Sequence, residues 1–158
     1  MSFTKDKDSD NYATDFKVWE TIKEYIPHNK KIYAPFYCDG KQKEYFKEMG
    51  YDIIHEDVDF FTNTFDYDII VDNLPFSKKK EILIKLREID KPFILIIPTC
   101  LLSLKWFQLL YSNKIQVIIP MKRLTFTHLT HPKEGYTPPF GSFIYCYKMN
   151  LEKDLIFI

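Results

Sequence analysis

Between Tyr67 and Leu86 the chain reads YDIIVDNLPFSKKKEILIKL, and the middle of that stretch carries the residue types and spacing best suited to chemistry. An apolar run, Ile69-Ile70-Val71, stops abruptly at Asp72-Asn73-Leu74-Pro75-Phe76, and a lysine-rich helical pattern follows at once. A polar amide at a strand end, followed by a proline and an aromatic ring, suits the handling of a planar amine. The Asn73 amide oxygen and the next backbone carbonyl, that of Leu74, can both accept from an exocyclic amine and so raise electron density on its nitrogen. Phe76 can stack on the ring that bears the amine, a contact worth ~1–3 kcal/mol per base. Attack of that nitrogen on a methyl sulfonium needs little acid–base help. The bland alternative is a Pro-containing turn that ends the strand, with Ser77 capping the next helix.

Hydrophobic periodicity gives the elements that must hold such a site. Phe16, Trp19, Ile22 and Ile26 predict a first helix over 15–26, with Thr14 as N-cap and Pro27 closing it. A short strand over 31–36 runs into a Pro-Phe turn, and a helix within 40–50 should end at Gly50 as its left-handed residue. Strands are predicted over 51–57 and 68–72, then a helix over 78–89 with Ile82, Leu83, Leu86 and Ile89 on one face. The run 93–98 is apolar throughout, as expected of a strand buried on both sides of a parallel sheet. A helix over 102–111 and a strand over 115–120 follow. Strands alternating with helices predict right-handed βαβ units and a three-layer αβα fold with a mostly parallel sheet. Segments 123–128 and 142–149 are β-rich around a Gly/Pro-rich loop and predict an antiparallel pair at one sheet edge. Residues 1–11 read as a frayed polar tail, which leaves 12–158 as a single domain.

Composition narrows the function classes. Twenty-two basic and twenty-two acidic residues cancel, so no overall field points to nucleic acid, a membrane surface or an acidic substrate. Three widely spaced cysteines, Cys38, Cys100 and Cys146, argue against a disulfide framework and against a zinc site, and fit a reducing, cytoplasmic compartment. No apolar run approaches the ~18 residues of a membrane span. Neither GxGxxG nor GxxxxGK[ST] occurs, which leaves a dinucleotide or a triphosphate poorly supported.

In open α/β sheets ligands bind at the carboxyl ends of the strands. Here those ends carry Pro35-Phe36-Tyr37-Cys38-Asp39-Gly40, then Glu56-Asp57-Val58-Asp59-Phe60-Phe61, then the Asn73 stretch, then Pro98-Thr99. Singly, Asp39-Gly40 is a turn dipeptide, Glu56 and Asp57 fit a solvated loop, and Phe60-Phe61 fits a core. Together, a Gly-bearing turn and an acid at the next strand end form the arrangement that binds a nucleoside, the carboxylate accepting from ribose hydroxyls.

These residues resemble a known family. Asp72-Asn73-Leu74-Pro75-Phe76 is similar to the (D/N/S)PP(Y/F) motif of amino-directed S-adenosylmethionine-dependent methyltransferases, most closely the NPPF form of the adenine N6-methyltransferases of compact phage and virus type. YAPFYCDG at 33–40 stands where that family has its first motif, and YATDFKVWETI at 12–22 is similar to its YxTP element. VIIPMKRLTFTHL at 117–129 and PPFGSFIYCY at 138–147 resemble its terminal hairpin, so the likeness spans nearly the whole chain. Leu74 stands where the family has its first proline, and Gln42 and Lys43 stand where it often has small residues. The resemblance implies a Rossmann-like class I methyltransferase fold with a C-terminal antiparallel hairpin. It implies Tyr12 and Thr14 near the cofactor's amino-acid end, Pro35, Phe36, Tyr37, Asp39 and Gly40 around methionine, and Glu56 or Asp57 on the ribose. Asp59 and Phe60 would lie near the adenine, and Asn73, Leu74, Pro75 and Phe76 at the target amine.

The activity so implied is methyl transfer from S-adenosylmethionine to an adenine amine of nucleic acid, DNA favoured over RNA. The alternative is a catalytically inactive subunit of the same fold that binds or scaffolds a partner protein. Phosphate contacts would fall to Lys78, Lys79 and Lys80 beside the tetrapeptide and to Lys122 and Arg123 near the terminal pair. The same lysines also suit a solvated helix start. The loop 127–139 is a candidate cover for a substrate, with His128 and His131 read as surface residues. No metal and no membrane partner is expected.

Overall fold

A computed structural model describes residues 10–130, 138 and 140–158. The chain forms β1 (Tyr12–Thr14), α1 (Phe16–Ile22), β2 (Ile32–Tyr33), α2 (Lys41–Glu48), β3 (Ile53–Ile54), β4 (Ile69–Asn73), α3 (Lys79–Ile89), β5 (Phe93–Pro98), α4 (Lys105–Tyr111), β6 (Ile115–Ile119), β7 (Phe126–His128), β8 (Ser142–Tyr147) and β9 (Leu155–Phe157). Seven strands make one mixed, mostly parallel sheet in the order β3-β2-β4-β5-β8-β6-β9, while β1 and β7 pair as a separate two-stranded sheet. Only β8 runs against its neighbours, antiparallel to both β5 and β6.

Alternation of side chains explains the layers. In β5, Ile94 and Ile96 face the side covered by Trp19 and Ile22 of α1 and Phe46 of α2. Phe93, Leu95 and Ile97 face the side covered by Ile82, Leu83 and Leu86 of α3 and Phe107 and Tyr111 of α4. All five β5 side chains are at most 1 % exposed, and each such burial contributes roughly 1.5–3 kcal/mol. This is the two-sided burial expected of a central strand.

Several elements differ from their sequence-based expectation. Thr14 does not cap a helix, because β1 pairs with β7 through Thr14 opposite Phe126, and Asp15 takes the extended N-cap position instead. The first helix stops at Ile22 and tightens into a 3-10 turn over Lys23–Tyr25. Ser77 lies inside a 3-10 turn, Phe76–Lys78, and its backbone N–H and hydroxyl both donate to the Asp10 carboxylate. A further 3-10 turn, Thr99–Ser103, delays α4 until Lys105. The strand expected over 51–57 shrinks to two residues, since β3 lies at the sheet edge and pairs with β2 alone. The terminal antiparallel pair at an edge is not formed. β7 carries Thr127 and His128 and joins β1, whereas the apolar β8 inserts in the sheet interior between β5 and β6. The edge is β9, a three-residue strand parallel to β6 without a legible signal of its own. Gly50, at φ +93°, does follow α2 in the left-handed region.

The chain order defines where a ligand belongs. From β2 the chain passes to β3 on one side and then crosses to β4 on the other, so the topological switch point falls between β2 and β4.

Candidate functional site

A cleft of about 280 Å³ opens at that switch point. Its walls come from the turn after β2 (Phe36 to Asp39), from the end of β4 (Asp72 to Phe76), from β1 with Trp19 of α1 behind it, and from Phe126 and Phe140. The two-stranded sheet brings β1 across the mouth: the Tyr12 ring packs edge-on against His128 at 4.9 Å and Phe140 at 6.0 Å. Phe140 in turn lies parallel to Phe76, centroids 6.3 Å apart.

Asp72 joins the two main walls. It is 1 % exposed, and its carboxylate accepts from the backbone N–H of Phe36 at 2.6 Å and of Asn73 at 2.7 Å. Burial pushes its carboxyl well above the usual carboxylate range, and the two N–H donors oppose that shift in part. Asn73 is half-buried in the wall. Among the described residues its side-chain amide enters no hydrogen bond, so its oxygen is available to a ligand. Leu74 is 4 % exposed, and its N–H donates to the Ile96 carbonyl at 3.1 Å. A proline there could not make that bond; in this chain burial and a ladder hydrogen bond hold the turn.

The turn after β2 is tightly built. Cys38 and Gly40 both have positive φ, +53° and +76°, and the Gly40 N–H donates to the Tyr37 carbonyl at 2.8 Å. A Cβ on Gly40 would come within 2.5 Å of the Tyr37 hydroxyl. Tyr37 stacks on His55 at 5.0 Å. His55, 2 % exposed, donates Nδ1–H to the Ala34 carbonyl at 2.8 Å, and burial lowers its basicity. Gln42 lines the cleft and donates its amide to the Val71 carbonyl at 2.9 Å, while Lys43 is directed outward to Glu56.

Nine of the residues singled out from the sequence line this cleft: Tyr12, Thr14, Phe36, Tyr37, Asp39, Asn73, Leu74, Pro75 and Phe76. Pro35 is buried just behind it and Gly40 caps α2 beside it. Glu56, Asp57, Asp59 and Phe60 are not brought to it. Glu56 and Asp57 are exposed, and Glu56 pairs with Lys43 at 3.4 Å. Asp59 holds a local turn through the Phe61 N–H at 2.9 Å. Phe60 packs in the core against Phe36, with the Lys85 ammonium over its ring at 5.0 Å.

Lys78 and Lys80 are exposed at the start of α3 beside Phe76, and the Lys79 ammonium rests 4.0 Å above the Phe76 ring. Lys122 and Arg123 line a different groove with Lys17 and Met121. His128 is 8 % exposed, packed on Tyr12 rather than on the surface. His131 and most of its loop lie outside the described residues.

Sequence reasoning gave no site role to Asp10, Trp19, Asp72 or Phe140. Trp19 reads as an ordinary helical core position, and Asp10 falls in a polar tail. Asp72 had a usable signal: a carboxylate one residue before a strand end, where burial demands backbone donors.

No family model matches the chain, and no curated protein matches it in sequence. Among the described residues no helix is long and apolar enough to cross a membrane, and no cluster of three or more metal-ligating side chains occurs.

Proposed function

We propose that the protein is an S-adenosylmethionine-dependent methyltransferase that acts on the exocyclic amine of adenine in nucleic acid, DNA in preference to RNA. One observation carries this reading: the available amide of Asn73 stands at the switch point in a cleft that is both acidic and aromatic. Its described lining holds the acids Asp10 and Asp39, the buried Asp72 whose carboxyl is held toward its protonated form, seven aromatic rings, and no lysine, arginine or histidine. Such a lining repels polyphosphates and favours a compact organic cation with a ring to stack, through carboxylates and aromatic faces together. S-adenosylmethionine is a ligand of that chemistry, a sulfonium and an ammonium joined to an adenine.

Tyr12, Thr14, Phe36, Tyr37 and Asp39 would hold it, and when bound it supplies an electrophilic methyl group. Asn73 and the Leu74 carbonyl accept the two N–H bonds of the target amine and leave its lone pair directed into the cleft. Phe76 stacks on the target ring, and the Lys79 ammonium, over the Phe76 ring, helps to hold it. A base within a duplex must leave the stack to reach Asn73, and the exposed Lys78, near the start of α3, is available for a flanking phosphate, while the Lys80 ammonium lies 5.9 Å over the Trp106 ring.

Calorimetry with S-adenosylmethionine tests the cofactor. Absence of binding at millimolar concentration would sink the proposal in favour of a binding or scaffold subunit. Tritiated-methyl transfer to DNA, RNA and protein pools then identifies the substrate class. A signal unchanged by Asn73→Ala would show that the amine site lies elsewhere.

A further inference from the structure

The two edges of the seven-stranded sheet are finished differently. β3, at one edge, is two residues long and neither of its side chains is exposed. β9, at the other, presents Leu155 at 55 % and Phe157 at 74 % exposure, while Ile156 between them packs toward the α1 side of the core. Its backbone is just as one-sided. The Asp154 and Ile158 carbonyls accept from the Val117 and Met121 N–H groups, and the Ile158 N–H donates to the Ile119 carbonyl. Strand alternation therefore turns the N–H and C=O groups of Leu155 and Phe157 away from β6, to the side where no further strand of the described residues lies. Sheet edges are commonly blunted by a lysine, a proline or a bulge. Leu155-Ile156-Phe157 carries none of them.

Such an edge is complementary to itself in one register. Antiparallel pairing of two copies about a two-fold axis at Ile156 sets Leu155 of each opposite Phe157 of the other. Leu155 and Phe157 are the residues whose backbone groups face outward, so both pairs exchange N–H···O=C bonds. Their exposed side chains meet on one face of the joined sheet and cover each other. The opposite face matches in charge. Ile158 lines a groove with Lys17, Lys122 and Arg123, and the described lining of that groove contains no acid. In the same register Asp154 stands opposite Ile158 of the second copy. By alternation Asp154 shares the face of Ile156 and Ile158, where its carboxylate accepts from the Gln116 amide at 3.2 Å. Each Asp154 is thus carried to the basic groove of the other copy.

We propose that β9 is a homodimerisation edge: two copies join β9 to β9 in antiparallel register about Ile156, with Asp154 of each at the Lys122–Arg123 groove of the other. A second copy is the occupant because the apolar match and the charge match both arise from one register and one two-fold operation. A net charge of zero leaves no long-range repulsion between the copies. Three paired residues and a groove contact make a small interface, so the dimer should dissociate on the order of 10 μM. The dimer requires nothing of the methyltransferase reading.

Sedimentation equilibrium of the full chain between about 1 and 200 μM should show a monomer–dimer equilibrium. Phe157→Lys changes an exposed side chain and should weaken association at least about tenfold, with the circular dichroism of the wild type. Should that variant fail to fold, Leu155→Lys carries the test. Asp154→Lys should weaken association about threefold or more, and Lys122→Glu in the same chain should restore most of the loss. Amide exchange followed by NMR reads the pairing itself: the Leu155 and Phe157 N–H groups should slow as the concentration crosses the dimer midpoint. A monomer at the highest concentration would overturn the proposal and leave the edge to a strand of another protein. So would a dimer indifferent to Phe157→Lys, or one in which the Leu155 and Phe157 amides exchange as they do in the monomer. A charge swap that restores nothing would overturn the groove contact.

Discussion

At the end of β4, Asp72 is 1 % exposed and its carboxylate fastens the turn after β2 to Asn73. At the end of β3, Glu56 and Asp57 face solvent, and Glu56 finishes in an ion pair with Lys43 whose partners are both about half exposed. Such a pair contributes at most about 1 kcal/mol and positions little. The contrast follows from the sheet. β4 lies between β2 and β5, so its ladder runs on to Leu74 and delivers the next residues into the cleft. β3 is an edge strand paired over two residues, and beyond Ile54 no neighbouring strand directs the chain. An acid at a strand end therefore becomes a site residue only where partners on both sides carry the backbone to the switch point.

The sharpest way to break this comparison is to mutate both ends. Asn73→Ala should lower methyl transfer at least about a hundredfold, as does loss of one preorganised polar group at a reacting centre, with cofactor affinity retained. Glu56→Ala and Asp57→Ala should each leave the rate within about twofold. Single-turnover methylation of a DNA pool reads all three. A larger loss at Glu56 or Asp57 than at Asn73 would invert the assignment of the two ends.

Leu74 supplies the next largest effect. Leu74→Pro would create an Asn-Pro-Pro-Phe tetrapeptide, yet it removes the N–H that donates to Ile96 and a side chain buried with the α3 face of the core. The expected outcome is a loss of about 2–3 kcal/mol in urea unfolding. Unchanged stability would mean that the β4 ladder ends at Asn73.

How much of this was legible follows from the same physics. β5 and α3 were readable because an uninterrupted apolar run and a one-sided apolar stripe have few alternative structures. The Asn73 tetrapeptide was readable because amide, proline and ring are adjacent in sequence. The cleft's other wall was not. Tyr12 and Thr14 become lining residues through pairing with Phe126 and His128, more than a hundred residues away, and no local pattern announces that pairing. Trp19 is at a helical core spacing in any reading; only its Nε1, which finds no hydrogen-bond partner among the described residues, sets it apart in the cleft wall. β8 shows the limit for topology. Its apolar sequence predicted a strand, but its place between β5 and β6 depends on crossings that periodicity does not encode.

Two glycines sharpen the comparison at smaller scale. Gly40, in the turn beside the cleft, and Gly50, after α2, both have positive φ, so alanine at either should cost about 1–2 kcal/mol in thermal or chemical unfolding. They differ in surroundings. A Cβ at Gly40 meets the Tyr37 ring, which can swing aside, whereas nothing lies within 4 Å at Gly50. Gly40→Ala should therefore also weaken S-adenosylmethionine by displacing Tyr37, and Gly50→Ala should not. Equal affinity in both variants would remove Tyr37 from the binding wall.

A last effect is a pH dependence at the β4 end. Burial raises the Asp72 carboxyl, so the folded protein holds that proton to higher pH than the unfolded chain does. Where the folded state binds more protons, stability falls as pH rises, here from the ordinary carboxylate range up to the folded-state value. Asp72→Asn cannot ionise and leaves one of two backbone donors poorly met, so it should be the less stable protein at low pH. Its deficit relative to wild type should shrink with rising pH, at no more than about 1.4 kcal/mol per pH unit. Urea unfolding of wild type and Asp72→Asn between pH 4 and 8 reads the trend. A deficit for Asp72→Asn that grows with pH would mean that Asp72 folds as the carboxylate, with its two N–H donors outweighing burial.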